Sequence, residues 1–129
     1  MAGMARPQSL VEVALDCPAL NEFSMRLADF LHEFSAHPSS SMVSGQPPLL
    51  RDSMESGDVA DAYLAATADA LSTSLGIRRP EWTEAPERYL RRPWFARRGS
   101  SMRACLLLEG PSAFRQRNLF VTANALSVA

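Results

Sequence analysis

The chain has 129 residues, 47% of them apolar and 21% charged, with a formal charge of −1; this is the profile of one ordinary globular domain and argues against fibrous, wholly disordered and multidomain readings. No apolar run approaches the roughly 20 residues of a membrane span. The opening MAGMARPQSL also lacks the apolar core of a signal peptide, so the expectation is a cytoplasmic protein with no membrane partner.

The near-neutral total hides two charged halves. Residues 1–77 carry three arginines against ten acids, net −7; residues 78–129 carry ten arginines against four glutamates, net +6. Such halves can satisfy each other inside the fold or present separate faces to partners. All 13 basic residues are arginine, and the two cysteines, Cys17 and Cys105, have neither metal nor redox spacing. In a reducing compartment both are expected as small buried apolar residues.

In chain order, Leu10 to Leu15 suggest a short helix. Asp16-Cys17-Pro18 then offers a cap and a proline suited to the first helical position. Leu20, Phe23, Leu27, Phe30 and Phe34 follow at spacings of three and four, with Leu31 widening the stripe, which predicts an amphipathic helix over 19–35. Residues 36–57, with three prolines, two glycines and six serines, read as a long flexible linker.

Asp58 is placed to cap a helix running to Leu75, with Gly76 positioned to end it. Its alanines allow a neighbouring helix to approach closely. Pro80, Pro86 and Pro93 forbid one continuous helix across 78–98 and permit a short turn near 86–91. Ser100 or Ser101 can open a helix to Glu109, Gly110-Pro111 breaks it, and a further short helix is expected over 112–117. Leu119-Phe120-Val121 is too brief to separate strand from buried link, and Thr122 can cap a last turn. The predicted fold class is mainly α: a small helical bundle with a long irregular connection after the N-terminal helix. The divisions are an N-terminal helical segment at 1–35, the linker at 36–57 and a helical core domain at 58–129.

No phosphate-binding glycine loop, dinucleotide fingerprint or nucleophile elbow is present. His32 and His37, the only histidines, lack a third ligand at metal-site spacing. No catalytic residue, metal or cofactor is therefore expected, and the chain does not read as an enzyme. The stretch RRPWFARR at 91–98 is the most distinctive feature. Its arginines can neutralise phosphates and its aromatics can stack on bases. Trp82, Tyr89, Trp94 and Phe95 also suit anchors for a proline-punctuated segment, and arginine pairs bidentately with carboxylates that the first half supplies in excess. Anchoring is the favoured role for the aromatics, while Arg91, Arg92, Arg97 and Arg98 are expected on a partner-binding surface.

The acidic helix has two readings. Its stripe can pack into the domain's own core, or it can lie in a groove on another protein. In the second case Phe23 and Phe30 would make the apolar contacts. Asp16, Glu22, Asp29 and Glu33, with Arg26 among them, would face a positive nucleotide- or phosphate-binding cleft.

The blocks DVADAYLAA at 58–66, LGI at 75–77, PEW at 80–82, PWF at 93–95, RACLLL at 103–108 and PSAFRQRNLFV at 111–121 together form a recognisable bacterial pattern. It resembles the antitoxin-like region, common in actinobacteria, that is often joined to a helix-turn-helix domain and encoded beside a toxin acting on nucleotides. The resemblance covers residues 58–127 well and the N-terminal third loosely. It implies an antitoxin of a type II toxin–antitoxin system that silences a cognate toxin, a zeta-type kinase or a nucleotidyltransferase, by binding and active-site occlusion. The chain departs from longer members in having no clear helix-turn-helix segment before residue 58, which leaves toxin neutralisation as the main role. The alternative expectation is a DNA-binding transcriptional regulator that uses the arginine-rich surface.

Overall fold

The computed structural model describes residues 6–96, 111–122 and 126. Its class is mainly α, with five α-helices and one pair of two-residue strands among the described residues. The helices are α1 (Leu10–Ala14), α2 (Leu20–Ala36), α3 (Ser41–Ser44), α4 (Gly57–Leu75) and α5 (Ser112–Arg115). None of the described helices is long and apolar enough to cross a membrane.

Helix α1 is short and depends on its ends. The Ser9 hydroxyl accepts from the Glu12 N–H at 3.3 Å, and the Glu12 carboxylate reaches back to the Gln8 N–H at 2.9 Å, so two otherwise unpaired donors are satisfied at its start. At its other end, Arg26 of α2 donates to the carbonyls of Leu15 and Asp16. Helix α2 buries Phe23, Leu27, Phe30, Leu31 and Phe34, the stripe expected from sequence. It begins two residues after Pro18, with Ala19 as its cap and no side-chain cap bond. Asp16 is instead in the left-handed region at φ 50°, where it turns the chain between α1 and α2.

The connection 36–57 is more than a tether. It carries α3, and Met42, Val43, Leu50 and Met54 are buried in the same apolar cluster as α1, α2 and one side of α4. Gly57 marks its close approach to α4. A Cβ there would sit 1.9 Å from the Leu50 carbonyl oxygen, so only glycine lets the strap cross the helix start. Helix α4 accordingly begins at Gly57 rather than at Asp58, after Ser56 at φ 60°. Gly76 ends it at φ 71°, its N–H on the carbonyls of Ser72 and Thr73.

Helix α4 is central and is buried on nearly every side, as a helix without a polar face must be. One side joins the first cluster. The other side, with Val59, Ala62 and Ala66, packs on Phe114, Leu119 and Val121. Tyr63 borders both clusters, edge-on to Phe23 at 6.2 Å and to Phe114 at 4.8 Å. The alanines allow this two-sided packing, because small side chains leave room for neighbours at short distance.

The proline-rich stretch after α4 forms two 3₁₀ turns, Glu81–Glu84 after Pro80 and Pro86–Arg88 opening on Pro86 itself. Beyond them β1 (Trp94–Phe95) pairs in parallel with β2 (Leu119–Phe120), with Trp94 opposite Leu119 and Phe95 opposite Phe120. The Phe95 and Phe120 rings stack at 5.0 Å. The predicted helix over 100–109, Cys105 and the turn after Thr122 lie outside the described residues. Cys17 is a buried free thiol.

Candidate functional site

The only two acids inside α4's buried surface, Asp61 and Asp69, stand eight residues apart on the helix. Each receives an arginine from the basic half. The Arg88 side chain is fully buried; it donates to the carbonyls of Pro47 at 2.6 Å and Asp61 at 3.4 Å, lies 3.8 Å from the Asp61 carboxylate and covers the Trp82 ring at 4.8 Å. Asp61 also accepts from the Leu50 N–H at 2.6 Å, the Arg51 N–H at 3.2 Å and Arg51 Nε at 3.3 Å. Burial pushes the Asp61 carboxyl above its ordinary range, against the pull of the Leu50 N–H, Arg51 and Arg88. Burial likewise holds the Arg88 guanidinium below its ordinary value, with Asp61 opposing. Each ion loses solvation that its partners restore in part.

Arg117 repeats the arrangement one end further along. It is fully buried and donates to Asp69 Oδ2 at 3.1 Å, Ala113 O at 2.9 Å and Thr83 O at 3.0 Å. Its guanidinium lies 4.7 Å from the centre of the Tyr89 ring. Arg79, more exposed, meets the same Asp69 oxygen at 3.2 Å and Glu84 at 3.4 Å; Asp69 and then Glu84 raise its already high pKa. Trp82 adds a bond from its indole N–H to Val43 O at 3.2 Å. These contacts fasten the 3₁₀ turns to α4, to the strap at 43–51 and to α5.

That fastening presents one tripeptide. Asn118, at φ 63°, holds both of its flanks: the side-chain amide donates to Leu90 O at 2.8 Å, and the Asn118 carbonyl accepts the Trp94 N–H at 2.8 Å. The Leu90 N–H in turn donates to Arg117 O at 3.3 Å. Between the two fixed points Arg91, Arg92 and Pro93 are exposed. Beside them is a groove of about 820 Å³ whose lining includes Arg51, Arg91, Arg92, Asp58, Glu87 and Trp94. Arg51 is held there by Asp61 and by the Glu87 carbonyl. No ion pair or hydrogen bond to a described residue engages Arg91 or Arg92.

The residues singled out from sequence divide accordingly. Phe23 and Phe30 are 2% and 0% exposed, so the stripe of α2 packs in the chain's own core and is not a free docking face. Arg26 pairs with Glu22 at 3.3 Å and satisfies carbonyls at the end of α1; it braces two helices. Asp16 and Asp29 are exposed and Glu33 is half-buried. Exposed Met25 shares the outer side of α2 with Asp29. Arg91 and Arg92 are exposed as expected, and Arg97 and Arg98 lie outside the described residues. No ion pair joins the α2 acids to Arg91 or Arg92 among the described residues.

Sequence reasoning foresaw arginine–carboxylate pairing between the halves without naming Arg88, Arg117, Asp61 or Asp69. The available signal was Asp61 and Asp69 standing among the alanines in the interior of α4. It also missed Asn118. Among the described residues no three acids, histidines or cysteines converge as a metal site would require.

No family model, curated protein or solved structure matches this chain.

What the arrangement can do chemically follows from its accounting of charge. The buried ions are committed to one another, and the exposed guanidiniums of Arg91 and Arg92 remain to engage carboxylate or phosphate groups.

Proposed function

We propose that this chain is a cytoplasmic antitoxin, a non-enzymatic helical protein that binds a cognate nucleotide-using toxin, a zeta-type kinase or a nucleotidyltransferase, and occludes its active site. The observation that carries the reading is the separation of buried from exposed charge. Asp61, Asp69, Arg88 and Arg117 are consumed in holding the fold, whereas Asp16, Asp29 and Met25, and Arg91 and Arg92 beside Trp94, lie at the surface. A rigid small body with an acidic helix side and a basic loop suits a partner whose own cleft is charged, because complementary surfaces steer association and suppress wrong partners. The outer side of α2 is the part that fits a positive phosphate cleft. The test is nucleotide turnover by the purified product of the neighbouring gene, measured while this chain is titrated in. Turnover is expected to fall to zero near a fixed stoichiometric ratio; unchanged turnover at a several-fold excess would refute the proposal.

The exposed Arg91–Arg92 pair next to an aromatic side chain also supports a second reading, a DNA-binding regulator. That reading requires promoter-DNA affinity that falls steeply with salt, and it ends if no binding is found at low salt.

A further inference from the structure

We infer that the groove lined by Arg91, Arg92, Trp94, Val59, Asp58 and Glu87 is a docking site for a short acidic peptide segment of a protein partner, one that alternates carboxylates with apolar side chains. The inference deepens the toxin-binding reading by naming what is recognised on the partner, and rests on it only for the partner's identity.

The composition of the lining selects the ligand. Among the described residues Arg91 and Arg92 meet no carboxylate, while the third arginine, Arg51, already faces the Asp61 carboxylate at 3.3 Å. Two carboxylates, Asp58 and Glu87, lie in the same lining. A phosphodiester strand carries a negative charge at every nucleotide, so a strand filling the groove would meet those carboxylates as well as the arginines. A peptide matches both: its carboxylates meet Arg91 and Arg92, its backbone N–H groups can donate to Asp58 and Glu87, and its apolar side chains cover Val59 and Trp94. The volume of about 820 Å³ lies within the range of sites that enclose compact ligands, roughly 300–1,000 Å³, and it accommodates a short extended segment.

The loop is also held ready. Asn118 fixes Leu90 and Trp94 by two bonds of 2.8 Å, so little backbone ordering is left to be lost on binding. Trp94 belongs to β1 and packs against the second apolar cluster, which gives one wall of the groove a rigid aromatic face. Large aromatics flanked by arginines are the side chains that dominate protein-binding energetics.

The full-length chain is to be titrated into a fluorescein-labelled hexapeptide of sequence Leu-Glu-Phe-Asp-Leu-Glu, with an eight-nucleotide oligothymidylate and a peptide with lysine at each acidic position as the other arms. Saturable binding of the acidic peptide is expected, weakening with added salt and shifting the Trp94 emission. The double variant Arg91→Ala/Arg92→Ala is expected to weaken it about tenfold, the combined effect of two exposed ion pairs, with an unchanged circular dichroism spectrum. Trp94→Phe should remove the emission shift while the anisotropy change remains. The inference is overturned if the acidic peptide does not bind, if the oligothymidylate binds more tightly than it, or if the double variant binds as well as the wild type. None of these outcomes depends on the toxin, so toxin inhibition could stand after this inference had failed.

Discussion

Replacing Arg117 with alanine is expected to remove about 4 kcal/mol of stability. The side chain is fully buried and makes three bonds of 2.9 to 3.1 Å, to Asp69, Ala113 and Thr83, besides covering the Tyr89 ring. Removing one partner of a buried, hydrogen-bonded ion pair costs ~3–5 kcal/mol, because the other charge is left without compensation. The desolvated cation–π contact adds up to ~2 kcal/mol. Asp69 is not wholly abandoned, since Arg79 stays 3.2 Å away and the Asp69 side chain keeps 11% of its surface in water, and this relief brings the sum back to about 4 kcal/mol. For a domain of this size that is a fall in Tm of about 12–20 °C, and a large part of a total of ~5–15 kcal/mol. The assay is urea unfolding followed by tryptophan fluorescence, with Arg79→Ala as control. Arg79 has a side chain 39% exposed, so its loss should cost under about 1 kcal/mol. A loss below about 1.5 kcal/mol for Arg117→Ala, or an equal loss for both variants, would show that the buried pair does not carry the weight assigned to it.

Three further perturbations probe the strap crossing at Gly57, the Asn118 clamp and the buried Tyr63 phenol. Gly57→Ala places a Cβ 1.9 Å from the Leu50 carbonyl oxygen and 2.7 Å from the Arg51 nitrogen; the strap must move, and a loss of about 3 kcal/mol or more in urea unfolding is expected, whereas a neutral effect would mean that the crossing is looser than described. Asn118→Ala removes the bond to Leu90 O and a residue type that tolerates φ 63°, so about 1–2 kcal/mol should be lost, together with faster amide exchange at 90–94; unchanged exchange there would contradict the clamp. Burial raises the Tyr63 phenol above its ordinary value of 10.0. Because the folded pKa is the higher one, the associated stability is complete below pH 10 and is lost as pH rises through the folded value, at up to ~1.4 kcal/mol per pH unit. Urea midpoints of Tyr63→Phe should therefore decline less than wild type between pH 10 and 11, and parallel declines would refute the assignment.

Helices α2 and α4 were legible because their signals are local. The three-and-four spacing of Phe23, Leu27, Phe30 and Phe34 and the stop at Gly76 need no knowledge of the rest of the chain. The start at Asp16-Cys17-Pro18 misled because a good capping side chain was used as a left-handed turn residue, and the helix opened after Ala19 without a side-chain cap bond. The β1–β2 pair was illegible in principle: two residues at 94–95 meet two at 119–120, a long-range contact with no periodicity to announce it. The role of 36–57 was hidden for a related reason. Serine and proline mark irregular backbone, but whether irregular backbone is free or packed depends on isolated residues such as Met42, Val43 and Leu50 finding a distant surface. The arginines show the same division. Sequence placed ten of them after residue 77, and only the fold separates Arg88 and Arg117, which are fully buried, from Arg91 and Arg92, which are left in water.

We propose that the chain acts by binding a toxin through its exposed charges, and the deciding measurement is growth of cells co-expressing it with the neighbouring gene's product. The wild type is expected to restore growth and to copurify as a complex. Asp29→Arg combined with Arg91→Glu and Arg92→Glu, all at exposed positions, is expected to fold normally yet do neither. Failure of the wild type to rescue growth, or full rescue by the charge-reversed variant, would contradict it.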